Sequence, residues 1–204
     1  MLYYANPCNE EVRDAMRAGL IGFIDTPMQG NKHVEGADWV ADNGCFSNRW
    51  VAEKWWGWLN TLPTTMRFAC CPDIVGDWDT TRTLFDIWYP KMDAIGIPVA
   101  CVAQDGAEIE QIDWDSVSCI FIGGSTDWKL SAKAVEIIGE ANRRNIWAHV
   151  GRVNSLRRMR WAQAAGADSV DGTHIVFEPT KGLQDVLRWS RIVNSEGNLF
   201  EETR

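Results

Sequence analysis

Short apolar runs alternate with longer amphipathic segments along the whole chain, and that alternation predicts its architecture. Runs rich in strand-forming residues predict strands near Leu2 to Ala5, Leu20 to Ile24, Trp39 to Asp42, Met66 to Cys71, Pro98 to Ala103, Cys119 to Ile122, Ile146 to Val150 and Ser169 to Asp171. Apolar positions at helical spacing predict helices over Asn9 to Ala18, Arg49 to Asn60, Asp79 to Ala94, Ser131 to Arg144, Ser155 to Ala165 and Leu183 to Val193. Gly19, Gly96 and Gly166 stand where three of these helices should end, as expected for residues that accept a left-handed backbone. The connections from Thr26 to Ala37 and from Asp105 to Ser118 lack a convincing long helix. Eight strands interleaved with helices predict a compact (β/α)8 TIM-like barrel, an α/β fold forming a single domain over residues 1–204. An open doubly wound sheet shares the same periodicity and is the structural alternative.

Composition adds to this picture in three places. No apolar run is long enough to cross a bilayer, and the opening Met1-Leu2-Tyr3-Tyr4 lacks the basic start and apolar core of a signal peptide, so a cytoplasmic protein with no membrane partner is expected. The six cysteines follow no paired CxxC spacing and read as reduced, mostly buried thiols. Net charge is -8, yet Lys129 to Arg191 holds 11 Lys/Arg against 6 Asp/Glu. A basic face on an acidic body fits either local contact with a phosphate backbone or a solvated helix surface. Most of the 12 tryptophans fall in helical patterns and read as packing between helices and barrel.

In a barrel of this kind the chemistry sits where the strands end, so the residues following each strand carry the functional reading. Asp42-Asn43-Gly44-Cys45-Phe46 follows the third strand and Cys71-Pro72-Asp73-Ile74-Val75-Gly76-Asp77 the fourth. Ala103-Gln104-Asp105-Gly106 follows the fifth, Ile122-Gly123-Gly124-Ser125 the sixth, and His149-Val150-Gly151-Arg152 spans the end of the seventh. Asp171-Gly172-Thr173 closes the eighth. Each segment alone could be a turn; six in one order at one edge point to a site. His149 reads as a core or supporting histidine, and His33 and His174 are too scattered to form a metal site with it.

The ordered set DNGCF, CPDIVGD, AQDG, IGGS, HVGRVNS and GADSVDG resembles the tRNA-guanine transglycosylase superfamily, most closely its short DpdA-type DNA-acting branch. The resemblance spans roughly Asp42 to Thr173 and implies a pentosyltransferase that exchanges guanine in DNA for a 7-deazaguanine such as preQ0. It further implies that Asp171 is the nucleophile and Asp42 the general acid/base. Asp73, Gln104, Gly123 and Gly124 would read the edge of the base, with Phe46 on one of its faces and Val150 and Gly151 on the other. Asn43 and Cys45 replace the serine and second glycine that the family usually has after the first aspartate. The zinc-binding Cys/His cluster of the tRNA enzymes is absent, so no zinc subdomain, metal or cofactor is expected.

Elementary chemistry agrees with those roles. Base exchange at C1′ passes through an oxocarbenium-like state, for which one carboxylate attacks while another handles protons. A base inside duplex DNA must first be flipped out, and an aromatic such as Phe46 can then stack on it. Arg152, Arg157, Arg158 and Arg160, near a helix start capped by Asn154 or Ser155, are candidates for phosphate contacts, and Asp168 is the second choice as nucleophile. The expected partners are DNA with a flipped guanine and a free 7-deazaguanine base, with a homodimer or an accessory DNA-modification protein as further options. A tRNA-acting enzyme, a metal-dependent sugar isomerase or endonuclease, and a catalytically silent base- or DNA-binding barrel are the alternatives.

Overall fold

All eight apolar runs become parallel strands, and they pair in sequence order until the last closes on the first. The computed structural model describes residues 1–27, 29–47 and 50–201, with side chains through residue 196. The strands are β1 (Leu2–Ala5), β2 (Gly22–Asp25), β3 (Trp39–Ala41), β4 (Ala69–Cys70), β5 (Val99–Ala103), β6 (Cys119–Ile122), β7 (Trp147–Val150) and β8 (Ser169–Asp171). The closed barrel settles the choice against an open doubly wound sheet.

Helices α1 (Glu10–Arg17), α2 (Ala52–Leu59), α3 (Trp78–Asp93), α5 (Ala132–Arg143), α6 (Leu156–Ala165) and α8 (Pro179–Glu201) match the six predicted ones, the first residue of the second, Arg49, lying outside the described residues. Two four-residue helices, α4 (Thr126–Lys129) and α7 (His174–Phe177), and a 3-10 turn at Ile109–Gln111 are additions, since one turn is too short to show a period. Strand edges also move inward. Leu20 is 53% exposed and precedes β2, while β4 keeps only two of its six predicted residues in the ladder. The C-terminal helix runs well past the predicted Leu183 to Val193 and packs on α1, α6, α7 and β1.

Alternate residues along each strand separate two apolar layers. Tyr3, Phe23, Trp39, Ala69, Cys101 and Val170 face the helices, whereas Tyr4, Ile24, Val40, Cys70, Val102 and Cys119 fill the barrel. Trp50, Trp55, Trp56 and Trp88 pack ring on ring between α2 and α3, the jacket role expected of them. All six cysteines are free, four of them buried. Among the described residues no helix is long and apolar enough to cross a membrane.

The strand alternation also fixes which acids face the site. Ser169 and Asp171 share a face, and Asp168 lies on the other. There its Oδ2 accepts the Ala148 N–H at 2.8 Å, tying β8 to β7. That contact makes Asp168 a strand-pairing residue.

Candidate active site

Asp171 ends β8 inside the barrel mouth, held by two donors. His149 Nε2 lies 2.9 Å from its Oδ2, and the Arg152 backbone N–H donates to its Oδ1 at 3.1 Å. The histidine is wholly buried among Tyr4, Phe68 and Phe121, and its Nδ1 sits 2.8 Å from Ser169 Oγ. That oxygen also accepts from Trp147 Nε1 at 2.7 Å, so the Ser169 hydroxyl joins the indole to the imidazole. The chain Trp147–Ser169–His149 thus turns Nε2 of the imidazole toward the carboxylate. Burial would raise the Asp171 carboxyl, but the hydrogen bond and charge of His149, the Arg152 N–H and Lys129 outweigh it and hold the group below the usual carboxylate range.

Delivering that N–H requires an unusual backbone. Arg152 has φ of +60°, a left-handed conformation costly for a side-chain-bearing residue, stored here directly beside the carboxylate. The preceding Gly151 is required by space, because a Cβ there would lie 2.7 Å from the Phe121 ring and 3.3 Å from Asp171 Oδ2.

Asp42, one residue beyond β3, meets the opposite environment. Burial, then Asp171, then Asp73 push its carboxyl up to about 7, against which the Gly44 and Asn43 backbone N–H groups work only partly. Two carboxyls facing one space therefore differ in protonation near neutral pH, one ionised and one about half protonated.

Asp73 and Gln104 form the third part. Asp73 is 7% exposed, and its Oδ1 accepts from Asn43 Nδ2 at 2.7 Å while Oδ2 accepts from Gln104 Nε2 at 2.6 Å. Gln104 Oε1 in turn accepts the Gly76 N–H at 2.9 Å. Burial raises the Asp73 carboxyl, with Asn43, Arg152 and Gln104 opposing the rise. Gly123 makes room for this pair, since a Cβ would sit 2.6 Å from Gln104 Nε2. Gly124, at φ +73°, brings its backbone against Asp105, whose carboxylate holds the Ser125 N–H at 2.6 Å and its hydroxyl at 2.5 Å.

The remaining predicted residues scatter in a telling way. Phe46 is 71% exposed, with the Arg152 guanidinium 5.2 Å from its ring centre. Val150 has no exposed surface and lines a side cavity together with Lys129 and Arg158. The four arginines do not act as a group. Arg152 donates to the Gly124 carbonyl and Arg158 approaches the Arg152 carbonyl at 3.4 Å, whereas Arg160 turns to Glu196 and Arg157 projects outward. Ser155 caps α6, accepting from Arg158 N–H, while Asn154 caps the Thr173 and His174 N–H groups beyond the nucleophile turn.

Three site residues carry no signal in the linear pattern. Asn43, read as a departure from the family motif, is 3% exposed and its amide bridges Asp73, the Cys71 carbonyl and the Cys45 N–H. Ser169 matters only through His149. Lys129, 6% exposed, donates to the Gly151 carbonyl at 2.6 Å from a helix too short to be foreseen. Among the described residues no group of three or more His, Cys, Asp or Glu side chains is arranged to hold a metal ion.

No family profile and no curated protein sequence matches the chain. Solved structures do match by shape. The BexX/CysO complex of Amycolatopsis orientalis contributes a chain with TM-score 0.67 and 13% identity, covering 100% of this chain and 91% of that one. Tryptophan synthase from M. tuberculosis aligns with TM-score 0.54 and 14% identity over 92% of this chain and 88% of its own. A flavocytochrome b2 variant gives TM-score 0.56 and 11% identity over 98% and 64% respectively. None of these three proteins is named as a transglycosylase. At such identities the likeness establishes the fold alone: this chain is a TIM-like (β/α)8 barrel.

Proposed function

We propose that this protein is a DNA-guanine transglycosylase that replaces guanine with a 7-deazaguanine base by double displacement. The observation that carries the reading is the division of labour between two carboxyls at one barrel mouth, Asp171 held ionised and Asp42 raised to about 7, beside the buried Asp73–Gln104 pair. In the first step an Asp171 oxygen bonds to C1′ of the flipped deoxyguanosine. The C1′–N9 bond breaks, and its electron pair leaves with guanine, which takes the Asp42 proton. In the second step the incoming base gives its N9 proton to Asp42 and bonds to C1′, displacing the Asp171 carboxylate. Both acids return to their starting states, and two inversions give net retention.

Base recognition follows from the same geometry. Asp73 can accept from the ring N–H and exocyclic amine of a guanine-like base, and Gln104, already anchored through Gly76, keeps it aligned. Phe46, exposed at the rim, supplies a face for stacking. The DNA-acting branch is preferred to tRNA because the segments that the tRNA enzymes add have no counterpart in the resemblance.

Incubation with guanine-containing DNA and radiolabelled 7-deazaguanine tests the reading. Label should enter DNA and survive chelation, and Asp171→Ala should abolish any trapped protein–DNA adduct. Label entering tRNA and never DNA would sink the DNA assignment, and full exchange by Asp171→Ala would sink the nucleophile.

A further inference from the structure

Beside the mouth, between α4 and the start of α6, lies a cavity of about 170 Å³. At about 30 Å³ per water it has room for five or six waters, enough for a tetrahedral oxyanion and part of its hydration. Lys129, Arg152 and Arg158 line it together with Thr126 and Asn154, and no carboxylate does. Asp171 and Asp105 act on Lys129 through their charge, and Asp73 interacts in the same way with Arg152. All three cations are held in place by backbone carbonyls: Lys129 by Gly151, Arg152 by Gly124 and Arg158 by Arg152. Each spends one donor on its anchor, leaving Lys129 two and each guanidinium four.

Such a site is expensive when empty of anions. Burial first, then Arg152 and Arg158, push the Lys129 ammonium down to about 8, which an anion among the three would reverse. Asn154 adds a neutral donor, because its Oδ1 serves the Thr173 and His174 N–H groups while Nδ2 keeps no protein partner among the described contacts. The ten-residue α6 also begins beside the cavity, lined by Asn154 just before it and by Arg158 and Trp161 within it.

We infer that this cavity is a binding site for one phosphate group, gripped by Lys129, Arg152 and Arg158, and that in the exchange reaction it holds the backbone phosphate flanking the flipped nucleotide. The second half of that statement rests on the proposed DNA reaction; the first does not. Arg152 ties the two sites together, since its N–H holds Asp171 while its side chain borders the cavity. A seated phosphate therefore positions the sugar against the nucleophile. Arg160, committed to Glu196, has no part in this site.

Calorimetric titration of the intact protein with inorganic phosphate, and separately with a short guanine-containing oligodeoxynucleotide, tests it. Arg158→Gln should weaken phosphate about tenfold, consistent with one charge-assisted hydrogen bond, and lower the slope of log K against log salt for the oligonucleotide by about 1. Arg158→Lys should recover part of both losses, and Arg143→Gln, an equal charge change at the exposed end of α5 outside the cavity lining, should move neither. Replacing oligonucleotide linkages one at a time with neutral methylphosphonates should find one linkage whose loss costs wild type about tenfold and costs Arg158→Gln almost nothing. Undetectable phosphate binding by wild type, or unchanged affinity in Arg158→Gln, overturns the phosphate site. Phosphate binding that depends on Arg158 while no oligonucleotide binds keeps the site and removes the DNA reading, leaving a small phosphorylated substrate.

Discussion

Asp171 and Asp42 are the same chemical group at the same rim of one barrel, and their surroundings drive them in opposite directions. The β7–β8 side surrounds its carboxylate with the imidazole of His149, the strained N–H of Arg152 and the ammonium of Lys129. The β3–β4 side offers two backbone N–H groups against two neighbouring carboxylates. Burial raises both groups, so depth does not separate them; the sign of the partners does. A barrel can thus keep an anion for attack and a proton for departure a few residues apart in space by choosing which strand ends receive cations.

That contrast can be broken most severely at the anion. Replacing Asp171 by Ala should reduce base exchange about 10⁴-fold or more and eliminate covalent adduct, followed by denaturing electrophoresis after incubation with DNA. Asp42→Asn should cost about 10² to 10⁴-fold in exchange rate while still permitting adduct to accumulate. Because departure of guanine requires the protonated acid, the wild-type rate of the first half-reaction should fall as pH rises through about 7. The amide variant should lose that limb, as single-turnover rates between pH 5 and 9 would reveal.

His149→Asn removes the donor that keeps Asp171 ionised. One charge-assisted hydrogen bond is worth about 1.5–3 kcal/mol, so a loss of roughly 10- to 100-fold is expected. Its signature is the acidic limb of the pH–rate profile, which should move to higher pH as the carboxylate becomes easier to protonate; a uniform drop with an unmoved limb would deny the histidine this role. Gly123→Ala pushes a methyl against Gln104 Nε2 and should raise KM for the free base about tenfold with a smaller change in kcat.

The smallest effect reads stability instead of rate. Asp42 binds its proton more tightly folded than unfolded, so the native state holds more protons between its unfolded pKa, near 4, and about 7. Wild-type stability contributed by this group is complete below that window and declines as pH rises through it. Asp42→Asn, which cannot ionise, should therefore melt a few degrees higher than wild type at pH 8 and lose that advantage near pH 4, as thermal unfolding at both values would establish.

Much of this arrangement is visible in the linear pattern. Asp42, Asp73, Gln104 and Asp171 each follow or end an apolar run, and a parallel barrel carries every such position to one edge. The boundaries are less visible: β4 spans only Ala69–Cys70, although the flanking Phe68 and Cys71 still hydrogen-bond through their backbones to Ala41 of β3 and Ala100 of β5. The arginine cluster is misleading in one dimension. Residues 152, 157, 158 and 160 look like one basic patch, yet helix geometry sends Arg160 to Glu196 on α8, and the partner that joins Arg152 and Arg158 is Lys129, over twenty residues upstream.

The sequence by itself determined the class of fold and the order in which acids, amide and glycines reach the mouth, because both follow from periods of two and 3.6 residues along a chain. It left open which acid is charged. That was decided by tertiary structure, where Ser169 orients His149, His149 and Arg152 satisfy Asp171, and Asp42 faces two carboxylates with too few donors to offset them. Protonation depends on distances across the barrel, and no local pattern in a sequence encodes a distance between residues 42 and 171.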